Sequence, residues 1–355
     1  MGKQRIAIIG AGPSGLSQLL AFKQAEQEQK VELICFERQS DWGGLWLYTS
    51  QIGMDANGEP IHSSMYRQLW SNYPKELFEY TDYSFYDHFG CFLPSFLPRP
   101  LIHDYLIGRA KAGNIRRFIR FNTAVRHVDF DDEKKEFSID VEDFNKNSTE
   151  NLKFDRVIVA TGHYHLPNMI NIYGVNQFPG RVLHSHEFRG ADEFFNLNLL
   201  LIGGSYSVDD IAVQCYKFGA RSVTISARCR PFHYKWPTQV KEVPELIRME
   251  GRTAHFKDGS STDNIDAIIF CTGYRHSYPF MAKQFDLRCG VTEFVPGDLY
   301  KSIFWMSQPS LAYLDAPRQI YTFPMFDIQA ALVRDVFLGH VKLPDCTHWQ
   351  KDVDK

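Results

Sequence analysis

At 355 residues the chain is long enough to bury a large core, and about two domains is the natural expectation. Its 44% hydrophobic content and net charge of −3 argue against the basic excess of a nucleic-acid-binding protein, and no apolar run reaches the ~20 residues that a membrane span requires. Seven scattered cysteines without a CxxC pair argue against a dithiol disulfide reductase and indicate free thiols in a reducing compartment. The opening "MGKQRI" has neither a signal-peptide core nor a myristoylation signal, so the expected location is the cytoplasm.

The first predicted element is a short apolar strand at residues 5–9, followed by Gly10-x-Gly12-x-x-Gly15 and a helix to about residue 27. A second strand, "VELICFE", ends in Glu37, 22 residues past Gly15. Each part has a physical task in dinucleotide binding. Gly10 makes the tight turn, Gly12 lets backbone approach a pyrophosphate, and Gly15 lets helix and strand pack closely. The helix N-terminus offers amide donors to phosphate, and the carboxylate of Glu37 can accept both hydroxyls of an adenosine ribose.

Further along, "RRFIR" at 116–120 reads as a helix end, and "DDEKKEF" at 131–137 as a solvated turn between strands. Two later segments, "DRVIVATGHYHLP" at 155–167 and "DAIIFCTGYRHSYPF" at 266–280, are each an apolar strand breaking at Thr-Gly. Between them lies a second loop of the first kind: "LNLLLIG", Gly203 and Gly204, then a helix closing at Gly219. Ser205 and Val208 stand where the usual fingerprint has its second and third glycines. The strand "SVTISA" that follows leads to Ser226, Arg228 and Arg230 instead of an acid. Guanidinium groups there suit a ribose 2′-phosphate and so favour NADPH over NADH, although a solvated strand end would also carry arginines. The fold class expected is α/β, with two Rossmann-like dinucleotide-binding domains, residues 168–280 being inserted into a domain made of 1–167 and 281–355.

Two HxH pairs, His163 with His165 and His184 with His186, lack the Cys or carboxylate companions of a metal site, so no metal is expected. Trp42, Trp46 and Trp70 would serve a core as well as a cofactor, and Asn72 before "YPKE" would serve as a turn residue.

The motifs GAGPSG (10–15), "WGGLW" (42–46), "HSSMYRQLWSNYPKE" (62–76), "FNTAVRHV" (121–128), "FPGRVLHSHEF" (178–188), "GGSYSVDD" (203–210), "YKWP" (234–237) and "TFPMFDIQA" (322–330) occur in that order. In this the chain resembles the class B flavin-containing monooxygenases, and among them the bacterial enzymes acting on trimethylamine. Phe178, Gly180, His184 and Phe188 match the family signature FxGxxxHxxxF. The resemblance implies FAD on the first loop and NADPH on the second, the NADPH domain being inserted into the FAD domain. It implies hydride transfer to flavin, a C4a-hydroperoxyflavin formed with O2, and oxygenation of soft nucleophiles such as small tertiary amines or thioethers. It also implies a water-excluding site that limits release of hydrogen peroxide.

By the same resemblance Ser14, Glu37, Gln39, Leu45, Trp46 and His62 match FAD-contacting positions, and Val125 a strand residue at the adenine end. Asn72 matches the asparagine near flavin and nicotinamide, the main catalytic candidate. Trp70, Ser205, Tyr206, Ser207 and Arg228 match NADP contacts, Tyr206 also being a candidate for covering the active site. Gln319 and Asp327 lie in a returning segment expected at the flavin ring, and His184 is expected to be a hydrogen-bonded position joining the two domains.

The chain departs from the family pattern at Tyr73, where bacterial members carry glycine and where a ring would narrow the pocket. It departs again at "YLDAPRQIYTF" (313–323), where only Gln319 survives of Gly-Met-Gln-Asp-Gln. The chain stops at Lys355, short of the helices that wall the pocket and the dimer contact in the family, so a more open pocket is expected and a homodimer is allowed. Two other readings stay open: an uncoupled NADPH oxidase with the same cofactors, and a non-catalytic nucleotide-binding partner protein.

Overall fold

The computed structural model describes residues 3–228, 234–287, 289, 296–317, 322–344 and 349. The chain forms two compact units, one of Met1–Leu47, Trp70–His163 and His276–Lys355, the other of Tyr48–Leu69 and Tyr164–Arg275.

The first unit is built on a seven-stranded sheet in the order Leu299–Tyr300, Phe304–Trp305, Leu311–Tyr313, Arg156–Val159, Gln4–Ile9, Val31–Phe36 and Ile119–Arg120. The strands from Leu311–Tyr313 onward run parallel. A parallel sheet is covered on both faces, which is why its strands read as unbroken apolar runs. Ile6 and Ile8 enter one core with Leu16, Leu19 and Phe22, while Ala7 and Ile9 enter another with Phe137, Ile139 and Val157. The helix Pro13–Gln27 begins with proline at its first turn and packs on the helix Thr322–Phe337, where Gln18 Nε2 donates to the Ala330 carbonyl at 3.2 Å. A three-stranded antiparallel sheet, Thr123–Asp131, Glu136–Asp143 and Ser148–Phe154, completes this unit. Its first turn is capped by Asp131, which accepts the Glu133 and Lys134 amides. Residues 116–120 are not a helix end: a 3-10 turn at Arg116–Phe118 leads into the edge strand, where β-branched Ile119 pairs with Cys35.

In the second unit a five-stranded parallel sheet has the order Val240–Val243, Ser222–Ser226, Asn198–Ile202, Ala267–Phe270 and Arg181–His184. The helix Tyr206–Lys217 follows its central strand, and Gly219, at φ +85°, ends that helix in a conformation glycine adopts freely. A small antiparallel sheet of Leu246–Glu250, Thr253–Phe256 and Ser261–Thr262 lies in the same unit.

Residues 48–69, which the sequence reading leaves in the first domain, cluster with the second unit. Arg189 explains much of this: its guanidinium donates to the carbonyls of Gln51 and Ser63, and burial lowers its pKa. His186 Nε2 lies 2.9 Å from the Ile61 carbonyl, and Tyr66 donates its hydroxyl proton to Asp210. The contact boundaries fall at 163/164 and 275/276 rather than at 167/168 and 280/281. Among the described residues no helix is long and apolar enough to cross a membrane.

Candidate cofactor site

In the first unit the loop after the central strand has the geometry its glycines suggest. Gly10 donates its amide to the Phe36 carbonyl at 2.8 Å, and a Cβ on it would lie 2.6 Å from the Ala160 oxygen. A Cβ on Gly15 would run into the Gly10 carbonyl, so helix and loop close only around glycine. Gly12 differs, for a Cβ there would meet nothing nearer than Gly44 Cα at 3.5 Å. That is ordinary van der Waals contact, so steric strain does not demand glycine at this position. The helix carries no side-chain cap and no acid in its first turn, an arrangement suited to an incoming phosphate.

Glu37 is buried at the end of the next strand. Its Oε2 accepts the Ala11 amide at 2.7 Å and its Oε1 accepts the Gln39 amide at 2.9 Å. Burial raises its pKa, and the two amide bonds act in the opposite sense. Glu37 therefore orders the loop through both of its carboxylate oxygens.

The glycines of "WGGLW" have a task that their spacing alone does not disclose. Gly43 donates its amide to the Ala11 carbonyl at 2.9 Å, and a Cβ on Gly44, which has φ +57°, would sit 2.8 Å from Gly12 Cα. The doublet lets a second stretch of backbone lie against the phosphate loop, and paired glycines between bulky residues were the available signal. Trp42 is buried, and Trp46 stands edge-on to Phe323 at 6.0 Å, so both serve the core as well. Ser14 is buried with its hydroxyl 3.5 Å from the Ala160 carbonyl. Gln39 and Leu45 are half-buried, and Val125 is half-buried at an irregularity in the strand pairing. Trp70 is 51% exposed and bridges to Pro98, and Asn72 is exposed on the turn that follows. Tyr73, expected to narrow the pocket, packs instead against the first core.

Asp327 has a different task from the one expected of it at the flavin ring. Both its oxygens are held by Arg109, at 3.0 and 2.8 Å, and Arg109 also reaches Asp82 and lies over the Tyr80 ring at 3.7 Å. The pair sits on the first unit's helix packing, and the Arg109 pKa is raised by Asp327 against the opposing effect of burial. Gln319 and Arg230 lie outside the described residues.

In the second unit the loop at Gly203 closes against the Cys271 carbonyl, where no Cβ fits. The helix after it begins at Ser205 with no side-chain cap. Ser205 and Tyr206 are exposed and Ser207 is half-buried, so the N-terminal turn is accessible. Asp209, in that turn, has its pKa pushed up to about 6 by burial. Ser226 is not available to a ligand: its hydroxyl donates to the Pro244 carbonyl at 2.9 Å and accepts the Leu246 amide at 2.8 Å. Arg228, two residues on, is exposed. His62, matched to FAD by the resemblance, belongs to this second unit and stacks on His165 at 5.2 Å. His184 Nδ1 accepts the His186 amide at 3.1 Å, and burial pushes its pKa down to about 4, so the ring is neutral. Both partners lie within the second unit.

Each unit thus holds a strand, a glycine turn and an uncapped helix start, the first with an ordered acid beyond it and the second with an arginine. The family model described as flavin-binding monooxygenase-like matches residues 3–233 and 237–355. The chain belongs to that family. It is 50% identical to a trimethylamine monooxygenase of Methylocella silvestris over 352 residues, covering 99% of this chain and 78% of that enzyme. The crystal structure of Tmm from Pelagibacter sp. strain HTCC7211 superposes with a TM-score of 0.94 at 43% identity, over 99% of this chain and 79% of that one. The S-allyl-L-cysteine S-oxygenase of Allium sativum superposes with a TM-score of 0.87 at 27% identity, over 99% of this chain and 81% of that one. This family membership accounts for the two loops of the flavin-binding monooxygenase-like chain described here.

Proposed function

We propose that the chain is an NADPH- and O2-dependent flavin monooxygenase that oxygenates soft nucleophiles, small tertiary amines such as trimethylamine first and thioethers second. FAD belongs to the first unit in this reading and NADPH to the second. The observation that carries it is the pairing of a glycine-tight turn at Gly10 with an ordered Glu37 on one loop and an exposed Arg228 beyond the other. An acid at the ribose position suits unmodified hydroxyls, whereas a guanidinium suits a 2′-phosphate. The fit to FAD rests on the glycine turn at Gly10, where no Cβ could be accommodated, and on a helix start with neither a side-chain cap nor an acid in its first turn.

The flavin, when bound, supplies the redox and oxygen chemistry. The protein's share is orientation and shielding. Gly10, Gly12, Ser14 and Gly15 receive the pyrophosphate, Glu37 and Gln39 the ribose, and Leu45 and Trp46 flank the chain leaving the loop, with Val125 at the adenine end. Ser205, Tyr206, Ser207 and Arg228 receive the NADPH phosphates, while Trp70 and His62 provide further cofactor contacts. Asn72 has an amide whose NH2 can donate to an electron-rich oxygen while its carbonyl accepts from the nicotinamide carboxamide. The relatives named for trimethylamine and for an S-oxygenase share the demand for an electron-rich lone pair, which directs the substrate choice.

The test is a balance of products. Purified protein with FAD, NADPH and trimethylamine should form one amine oxide per NADPH consumed, with little hydrogen peroxide. Asn72→Ala should still oxidise NADPH but release peroxide in place of oxygenated product. Stoichiometric peroxide from the unaltered protein with every amine and sulfide tried would replace this reading by an NADPH oxidase.

A further inference from the structure

The edge of the first sheet carries a carboxyl that the proposed function does not use. Val31–Phe36, Gln4–Ile9, Arg156–Val159 and Leu311–Tyr313 are adjacent and parallel, so their carboxyl ends form one edge. Ligands of such sheets lie along that edge. Glu37 marks the ribose side and Gly12 the pyrophosphate, so the far half of a bound dinucleotide extends over the ends of Arg156–Val159 and Leu311–Tyr313. This direction rests on the FAD reading given above.

Asp315 stands two residues past the end of Leu311–Tyr313. Its backbone is left-handed, at φ +59°, and Gln329 Oε1 accepts its amide at 3.3 Å. Its side chain is 17% exposed, with Oδ1 3.9 Å from His163 Nδ1 and Oδ2 3.7 Å from where a Cβ on Gly162 would lie. The His163 Nδ1 proton is directed to the Asp315 carbonyl at 2.7 Å and not to the carboxyl. His163 stacks on His276 at 4.9 Å, and His276 Nε2 lies 2.8 Å from the Ala316 carbonyl. Tyr278 is a further titratable group close by, and its buried hydroxyl is pushed up in pKa by burial and in part by Asp315. Among the described residues no lysine or arginine forms an ion pair with Asp315.

We propose that the Asp315 carboxyl exchanges a proton in step with the redox state of the bound flavin, holding it more tightly once the flavin has gained two electrons. The balance is simple. A hydride from NADPH brings two electrons and one proton to the flavin, the added charge raises the proton affinity of a nearby carboxylate, and Asp315 takes its proton from solvent. The proton returns to solvent on reoxidation, and on the protein only an O–H bond is made and broken. Burial pushes the Asp315 pKa up to about 8, which places the exchange within reach of working pH.

The experiment is a potentiometric titration of the FAD-loaded protein between pH 6 and pH 10, for the unaltered chain, Asp315→Asn and Asp315→Gly. Glycine accepts the left-handed backbone without strain, so the second variant controls for folding. Above about pH 8 the midpoint of the unaltered protein should fall more steeply than that of either variant, by a factor of ten per pH unit in the reduction equilibrium, which is about 30 mV for two electrons. A profile that is the same in all three proteins overturns the proposal. Protein that takes up no FAD overturns the FAD reading, and this inference with it.

Discussion

The Glu37 carboxylate accepts the Ala11 amide across the glycine loop at 2.7 Å, so the group proposed to hold a ribose also fixes the loop proposed to receive the pyrophosphate. Glu37→Gln keeps the size but offers an NH2 where an amide donor already points. A hydrogen bond to a charged group is worth about 1.5–3 kcal/mol, so FAD affinity should fall about tenfold or more. The FAD-to-protein ratio after dialysis measures it, and full retention would remove Glu37 from the site.

Gly12 and Gly15 separate binding from folding. Gly12→Ala places a methyl group in ordinary van der Waals contact with the Gly44 backbone, 3.5 Å from its Cα, so the flavin-free protein should melt close to the unaltered one yet fail to retain FAD. Gly15→Ala drives a methyl group into the Gly10 carbonyl and should cost about 1–3 kcal/mol or more of stability before any cofactor is added. Calorimetry of both variants, with and without FAD, distinguishes the two effects.

Arg228 is the residue proposed to read the 2′-phosphate, since the Ser226 hydroxyl is taken up by Pro244 and Leu246. Arg228→Ala should raise KM for NADPH by roughly tenfold or more while leaving that for NADH nearly unchanged. Equal effects on the two cofactors would return Arg228 to the solvated surface.

Asp327 should behave as a structural residue. Asp327→Ala leaves Arg109, whose side chain is 9% exposed, with the exposed Asp82 as its one acidic partner among the described residues, and should cost about 3 kcal/mol in denaturant unfolding. The flavin spectrum of the variant that does fold should be unchanged.

Asp315 gives the flavin-free protein a pH signature. Its pKa rises from 3.8 to about 8 on folding. Below pH 4 both states are protonated and nothing is lost. Between pH 4 and pH 8 the unfolded chain ionises while the fold keeps the proton, so stability falls as pH rises, by roughly 1 kcal/mol per unit, and levels off above pH 8. Asp315→Asn removes this slope, so the variant should gain on the unaltered protein between pH 5 and pH 8 in chemical denaturation.

What the sequence disclosed was local. The turn at Gly10, the close packing at Gly15 and the acid at Glu37 lie within one strand-helix-strand unit, where spacing alone sets geometry, and the helix ends at Gln27 as its pattern suggests. What it concealed depends on distant partners. Nothing near Asp327 reveals that Arg109, 218 residues away, holds it. Residues 48–69 look continuous with the segment before them, and their allegiance is set by carbonyls gathered at Arg189. Ser226 stands in the sequence where an acid would read a ribose, and only the turn back at Pro244 shows that its hydroxyl is already engaged.

Neither unit is a continuous stretch of chain, and this shapes how the protein must be made. The second unit draws on residues 48–69 as well as 164–275, so it has all its parts once Arg275 has left the ribosome. The first must wait for Leu311–Tyr313 and the helix Thr322–Phe337, its opening strand being synthesised some 300 residues before the last partner arrives. Gene fragments cut at 164 and 275 would therefore yield half a module, and grafts between relatives must carry both pieces together.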